Sequence, residues 1–81
     1  MIVVKLREAM QVYRARTGER MTYARLARVT GVARATLETI GSRPGYNTTL
    51  GTIEKICRAL GCGLEDLLEL REGGRPNRPS T

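Results

Sequence analysis

Apolar residues along the chain recur at the spacing of short amphipathic helices. The first stripe, at positions i, i+3, i+4 and i+7, consists of Leu6, Ala9, Met10 and Tyr13. It predicts a helix that begins at Val3 or Lys5 and ends at Thr17, where Gly18 interrupts the pattern. The β-branched run of residues 2–4 allows a short N-terminal strand instead.

Two shorter helices follow, with a glycine between them. Thr22 is a suitable N-cap for a second helix that extends to about Val29. Gly31 can adopt the positive φ that a tight turn between helices often requires. A third helix is predicted over residues 34–40 or 34–41. Steps of about 100° per residue place three residues on its inner side: Ala33, Leu37 and Ile40.

The C-terminal half predicts two more helices. Thr48 or Thr49 caps a fourth helix that ends at Leu60, and a fifth helix runs from Leu64 to about Leu70. Their predicted inner sides consist of Leu50, Ile53, Ile56, Cys57 and Leu60, and of Leu64, Leu67 and Leu68. Five short helices predict an all-α orthogonal bundle that forms one domain over residues 1–71. Residues 72–81 lack a hydrophobic anchor and are expected to form a disordered basic tail.

The charge of the chain is basic and unevenly distributed. Fourteen Lys and Arg against eight Asp and Glu give a net charge of +6 and a pI near 10.2. Residues 14–43 contain seven Arg and two acidic residues, whereas residues 64–72 contain four acidic residues and one Arg. This distribution favours a polyanionic partner for the central segment, and nucleic acid is the usual one.

Several residue types that other functions require are missing. The chain has no His and only two Cys, Cys57 and Cys62, so it lacks the ligands of a tetrahedral zinc site. It also has no Gly-rich phosphate loop, and we expect neither a cofactor nor an enzymatic activity. Because it shows no apolar run long enough for a membrane span and no signal-peptide pattern, we expect a cytoplasmic protein.

The segment from Tyr23 to Ile40, YARLARVTGVARATLETI, has the helix, glycine-containing turn and second helix of a helix-turn-helix. LARVTGVARATLETI (26–40), followed by TLGTIEKICRALGCGLEDLLEL (49–70), resembles the short members of the Cro/CI-type (Xre-like) repressor family. The resemblance covers about residues 3–70. It implies a lambda-repressor-like, five-helix DNA-binding domain whose third helix enters the major groove of double-stranded DNA.

The outward side of the third helix carries the candidates for contacts with base edges: Arg34, Ala35, Glu38 and Thr39. Arg34 suits bidentate hydrogen bonds with guanine, and a phosphate contact or a pair with Glu38 are its alternatives. Glu38 can accept from cytosine or orient Arg34, and plain solvent exposure is its alternative. Ala35 and Thr39 offer methyl groups to thymine.

Phosphate contacts are expected from the start of the second helix, from the third helix and from the loop after it. The candidates are Thr22, Tyr23, Thr36, Ser42, Arg43, Tyr46, Asn47 and Thr48. Tyr23 stands where the family often has Gln, and Ala33 stands where a Ser or Thr usually caps the recognition helix. Space filling is the alternative for Thr36, and loop packing is the alternative for Tyr46. General attraction to DNA is expected from Arg14, Arg16, Arg20, Arg25 and Arg28.

The size of the domain suggests how it would act. One such domain contacts only a few base pairs, so we expect a homodimer on a pseudo-palindromic operator. The candidate dimer surfaces are residues 2–4 and the apolar residues of the fifth helix, such as Leu70. We interpret the chain as a nucleoid-associated transcriptional regulator, specifically a repressor, without a small-molecule ligand. Two alternatives remain open. An antitoxin or a restriction–modification controller uses the same domain, and a protein-interaction adapter would keep the fold without DNA binding.

Overall fold

The computed structural model describes residues 1–43 and 45–71 of the chain. Across these residues the elements are, in order, β1 (Ile2–Val4), α1 (Leu6–Thr17), α2 (Tyr23–Thr30), α3 (Arg34–Ser42), α4 (Leu50–Leu60), α5 (Leu64–Leu67) and β2 (Leu68–Leu70). The predicted five-helix fold is confirmed, and so is the predicted strand at residues 2–4. The tail predicted over residues 72–81 lies outside the described residues.

Two of the helices begin at a threonine that caps them with its side chain. The Oγ1 of Thr22 accepts from the backbone N–H of Arg25 at 3.1 Å, and the Oγ1 of Thr49 accepts from that of Thr52 at 3.1 Å. Each bond satisfies one of the backbone donors that a helix start leaves without an intrahelical partner. Of the two threonines predicted as caps for α4, Thr49 is therefore the one used.

The predicted fifth helix is too long. α5 ends at Leu67, and residues 68–70 form β2, which pairs antiparallel with β1 in the register Ile2↔Leu70. The backbone N–H of Lys5 donates to the carbonyl of Leu67 at 2.6 Å where the two segments meet. Helical periodicity within residues 64–70 could not show this, because the partner strand lies at the other end of the sequence.

The core lies between α1, α2, α3 and α4 and is closed by α5 and the sheet. Its fully buried large side chains are Leu6, Leu26, Leu37, Ile40, Ile56, Leu60 and Leu67. The predicted inward positions are wrong for Ala33, Leu50 and Leu64, which are all exposed. Ala33 precedes α3 and Leu50 is the first residue of α4. At these helix ends no other element of the described chain covers the side of the helix that faces the core. Among the described residues, no helix combines the length and the apolar character that crossing a membrane requires.

Candidate nucleic-acid interface

The corner between α2 and α3 is held by hydrogen bonds that satisfy its polar groups. Gly31 has φ +77° and its N–H donates to the carbonyl of Ala27 at 2.8 Å, which ends α2. The Thr30 hydroxyl donates to the carbonyl of Leu26 at 2.7 Å and accepts from the N–H of Val32 at 3.1 Å. A residue with a Cβ at position 31 would be strained at this φ, so the glycine is required by the backbone conformation. The corner therefore fixes the orientation of α3 relative to α2.

The helix α3 has one buried side and one open side. Leu37 and Ile40 have no exposed surface, whereas Arg34, Ala35 and Glu38 are exposed. Thr36 and Thr39 are half-buried at the border between the two sides. The exposed side therefore presents the Arg34 and Glu38 side chains to solvent, with a small methyl group at Ala35 between them.

Arg34 and Glu38 form an ion pair along the exposed side of α3. The Nε of Arg34 donates to Oε2 of Glu38 at 2.9 Å, and the two side chains are 64% and 46% exposed. An ion pair this exposed adds little to stability, about 0–1 kcal/mol. Because only Nε is engaged, both terminal nitrogens of the guanidinium keep donors for a bidentate contact. In this arrangement Glu38 orients Arg34.

The hydroxyl groups along α3 are engaged with their own helix. Thr39 donates to the carbonyl of Ala35 at 2.9 Å, and Ser42 donates to that of Glu38 at 3.0 Å. Both oxygens can still accept a hydrogen bond, but their hydrogens are not free for a phosphate. The hydroxyl of Thr22 differs, because it accepts from its own helix and keeps its hydrogen available as a donor.

Tyr23 packs across the end of α3. The ring is half-buried, and its hydroxyl lies so close to Gly41 that a Cβ at that position would overlap it. Gly41 is itself buried. Tyr23 thus connects the start of α2 to the last turn of α3, a packing role that sequence analysis missed when it assigned a phosphate contact alone.

The segment between α3 and α4 carries the remaining predicted backbone contacts. Arg43 is exposed and follows the last residue of α3, and its carbonyl accepts from the N–H of Tyr46 at 2.8 Å. Tyr46 and Asn47 are exposed, and Thr48 is half-buried just before the Thr49 cap. These side chains thus lie between the end of α3 and the uncovered N–H groups at the start of α4.

The arginines fall into two groups according to their partners within the described residues. Arg16 donates from its terminal nitrogens to the carbonyls of Leu60 at 2.6 Å and Gly61 at 3.1 Å, and it thereby caps the end of α4. Its role is structural, which differs from the general attraction that sequence analysis expected. Arg25 pairs with Glu19 at 3.0 Å. Within residues 1–43 and 45–71, no side-chain hydrogen bond or ion pair engages Arg7, Arg14, Arg20, Arg28 or Arg43.

Three of these arginines line one cleft next to the start of α2. The cleft has a volume of about 300 Å³, and Arg7, Arg14, Arg20 and Tyr23 are among its lining residues, none of which is acidic. Arg7 was not among the predicted contact residues. A signal was present, because Arg7 and Arg14 are seven residues apart and share one side of α1. The cleft extends the positively charged surface from α2 and α3 onto α1.

The helix-turn-helix and the uncovered side of its second helix define a DNA-binding domain of the helix-turn-helix class. A family model described as the Cro/C1-type HTH DNA-binding domain matches residues 6–72. The match spans most of the chain, so the chain belongs to this family, and the predicted resemblance is confirmed. No curated protein and no solved structure matches the chain.

Proposed function

We propose that the protein is a transcriptional repressor that binds a pseudo-palindromic operator as a homodimer. The observation that carries the proposal is the division of α3 into a clamped side and an uncovered side. A helix held by Leu37 and Ile40, with the Arg34–Glu38 pair exposed on the opposite side, is suited to insertion into a major groove. Because its ligand is chromosomal DNA, we place its action at the nucleoid in the cytoplasm.

Four side chains of α3 account for sequence recognition in this proposal. The two terminal nitrogens of Arg34 donate to O6 and N7 of a guanine while Glu38 holds Nε. Glu38 stays paired with Arg34 when the duplex is bound, and the positive charge of Arg34 offsets the repulsion between the Glu38 carboxylate and the phosphates. Ala35 and the methyl group of Thr39 contact thymine, and the Thr39 oxygen accepts from a base amino group.

Contacts with the DNA backbone position α3 in the groove. The contributing residues are Thr22, Tyr23, Thr36, Ser42, Arg43, Tyr46, Asn47 and Thr48. For Ser42 this requires the hydroxyl to turn away from the Glu38 carbonyl that it contacts in the free protein. Thr22 and Arg43 are the strongest candidates, because both are exposed and keep donors available for a phosphate. The cleft with Arg7, Arg14 and Arg20 adds three positive charges beside the start of α2. Repression follows if the bound dimer occupies a promoter and excludes the polymerase.

The test separates base recognition from backbone attraction. Genomic fragments bound by the wild-type protein are selected and sequenced, and affinities for the selected site and for altered sites are then measured at several salt concentrations. We expect Arg43→Ala to weaken binding to every sequence. The slope of log binding constant against log salt concentration should become shallower by about one, since each phosphate contact releases about 0.9 counterions. We expect Arg34→Ala also to lose about 1–3 kcal/mol of discrimination at one base pair.

Lys55→Ala is the charge-matched control, because Lys55 is exposed and lies on α4, which is not part of the helix-turn-helix. We expect it to change affinity less than either arginine variant. Equal losses for Arg34→Ala and Arg43→Ala on every sequence would contradict the role of Arg34. Failure of the wild-type protein to bind any DNA fragment would contradict the proposed function as a whole.

A further inference from the structure

The outward side of α4 is an apolar surface that nothing in the described chain covers. We call it the α4 outer face, and it consists of Leu50, Glu54, Cys57, Arg58 and Gly61 with the adjoining Leu64. Leu50 is 81% exposed and Leu64 is 58% exposed. Between them lies an open cleft of about 590 Å³. An exposed apolar patch with a polar rim is typical of a protein interaction site.

The residues of the α4 outer face follow the helical repeat. Leu50, Glu54, Cys57 and Gly61 are spaced by four, three and four positions, so they form one stripe along the whole of α4. This stripe borders the inner one, in which Ile53, Ile56 and Leu60 are buried. Ile53 also lines the cleft, and Cys57 packs against the core. The apolar surface of α4 thus continues beyond the core to the exposed Leu50.

We propose that a second copy of this chain docks on the α4 outer face, with the two α4 helices antiparallel about a twofold axis. The inference rests on the proposed homodimer and identifies its interface. A twofold interface brings the same patch of both subunits together, so the patch must complement itself. The arrangement of charged and apolar residues on this face meets that condition.

The apolar residues lie at the two ends of the face, and the charged residues lie near its middle. Leu50 begins α4 and Gly61 follows its end, about 16 Å away at 1.5 Å per residue. In an antiparallel pair, Leu50 of one copy therefore meets Gly61 and Leu64 of the other copy. Glu54 of one copy then faces Arg58 of the other, so unlike charges meet at the centre.

The central charges are available for such contacts. Arg58 and Glu54 pair at 3.0 Å within one chain, and their side chains remain 78% and 62% exposed. Each therefore keeps hydrogen-bonding capacity for the second copy. Leu50 also directly follows Thr48 and Thr49, so the face adjoins the segment proposed to contact the DNA backbone. A second copy bound here would stand beside the same duplex.

The outer side of the sheet is the rival dimer surface. Ile2 and Leu70 lie opposite each other in the sheet and are 60% and 70% exposed. Residues 2–4 and Leu70 were predicted as separate candidates for the dimer surface. It offers one apolar pair on strands of three residues, whereas the α4 outer face adds a cleft and a complementary charge pattern. The observations therefore favour α4.

Sedimentation equilibrium of the DNA-free full chain tests the interface. We expect the wild type to have twice the 9.0 kDa mass of one chain. The double variant Leu50→Gln, Leu64→Gln should weaken dimerisation at least tenfold. The control Val12→Gln, at a side chain 59% exposed on α1, and the rival Ile2→Gln, Leu70→Gln should dimerise as the wild type does.

A charge exchange gives a second measurement that does not depend on removing apolar residues. Glu54→Arg alone should weaken dimerisation, because like charges then meet at the centre of the interface. Adding Arg58→Glu to it should restore dimerisation, because the exchanged pair is again complementary. The substituted positions of both experiments on this face are exposed, namely Leu50, Glu54, Arg58 and Leu64. Circular dichroism checks that each variant is folded.

Three results would overturn the inference: unchanged dimerisation of the α4 double variant, monomers caused by the sheet variant alone, or a monomeric wild type at every concentration. Binding to a short duplex with one half-site separates this outcome from the proposed function. If the wild type dimerises through α4 without binding DNA, the interface stands and the function fails. If DNA is bound while the α4 variant still dimerises fully, the function stands and the interface fails.

Discussion

The helices α3 and α4 have similar inner sides and different outer sides. Leu37 and Ile40 in α3, and Ile56 in α4, are completely buried in the same core. The outer side of α3 is polar, with Arg34 and Glu38, whereas that of α4 combines the charged Glu54 and Arg58 with the exposed Leu50. The core therefore fixes where each helix lies, while the residues facing outward give the two helices different surface chemistry.

The two helices also differ in how well their first turns are stabilised. α4 begins at the Thr49 side-chain cap, whereas α3 begins at Ala33 without one. Arg34 places a positive charge at the positive end of the α3 dipole, which is unfavourable. Its i,i+4 pair has Arg before Glu, whereas Glu54 precedes Arg58 in α4, and Glu first is the better order. The first turn of α3 is thus less stabilised than that of α4.

The largest predicted effect tests whether the two inner sides are equivalent. Leu37→Ala and Ile56→Ala should each lower the free energy of unfolding by about 2–5 kcal/mol, because each leaves a cavity in the core. Urea denaturation at a fixed protein concentration measures the loss, and the fixed concentration matters because dimerisation contributes to apparent stability. The exposed Val12→Ala should change it by no more than about 0.5 kcal/mol. A loss for Leu37→Ala as small as that for Val12→Ala would show that α3 is not clamped.

A smaller effect tests the difference at the helix starts. Ala33→Ser should raise the free energy of unfolding by about 1 kcal/mol, because the new hydroxyl can accept from an N–H of the first turn of α3. Ala33 is exposed and its φ of −58° and ψ of 138° suit a capping residue. The matched change Thr49→Ala should lower stability by a similar amount. Thermal unfolding measures both, and no gain from Ala33→Ser would mean that α3 is not limited by its missing cap.

The smallest effect concerns a thiol bordering the α4 outer face. Burial, reinforced by the neighbouring Cys57, raises the pKa of Cys62 from 9.0 to about 11. The folded chain therefore holds this proton more tightly than the unfolded chain. The resulting stability is fully present below pH 9 and is lost as the pH rises toward about 11.

The measurement compares the reduced wild type with Cys62→Ala across that pH range. The difference in unfolding free energy between the two should shrink as the pH rises, because the variant lacks the titrating thiol. A constant difference would contradict the apolar environment that we assign to this end of α4.

Sequence patterns were most informative where the structure depends on residues a few positions apart. The Thr22 cap, the turn at Gly31 and the inner positions Leu37 and Ile40 all follow from local rules, and each is confirmed. The exposure of Arg34, Ala35 and Glu38 follows from the same helical repeat. The roles of these residues toward DNA remain predictions, because they depend on a ligand that binds from outside.

The wrong or missed features lie where distant segments meet. Residues 68–70 form a strand because residues 2–4 pair with them, and their own periodicity cannot show a partner so far away in sequence. Arg16 caps α4 because the last carbonyls of that helix lie within reach of its guanidinium. Tyr23 packs on α3 because Gly41 has no side chain where the ring passes.

The amino-acid sequence by itself determined the kind of domain, the bounds of most helices and the side of α3 that faces outward. Caps, turns and periodicity act within one or two helical turns, so they can be recognised without the rest of the chain. Only the tertiary structure decided that Leu50 and Leu64 stay outside the core and which arginines keep their donors. Burial and hydrogen bonding depend on what else reaches a surface, and that is set when the whole chain has folded.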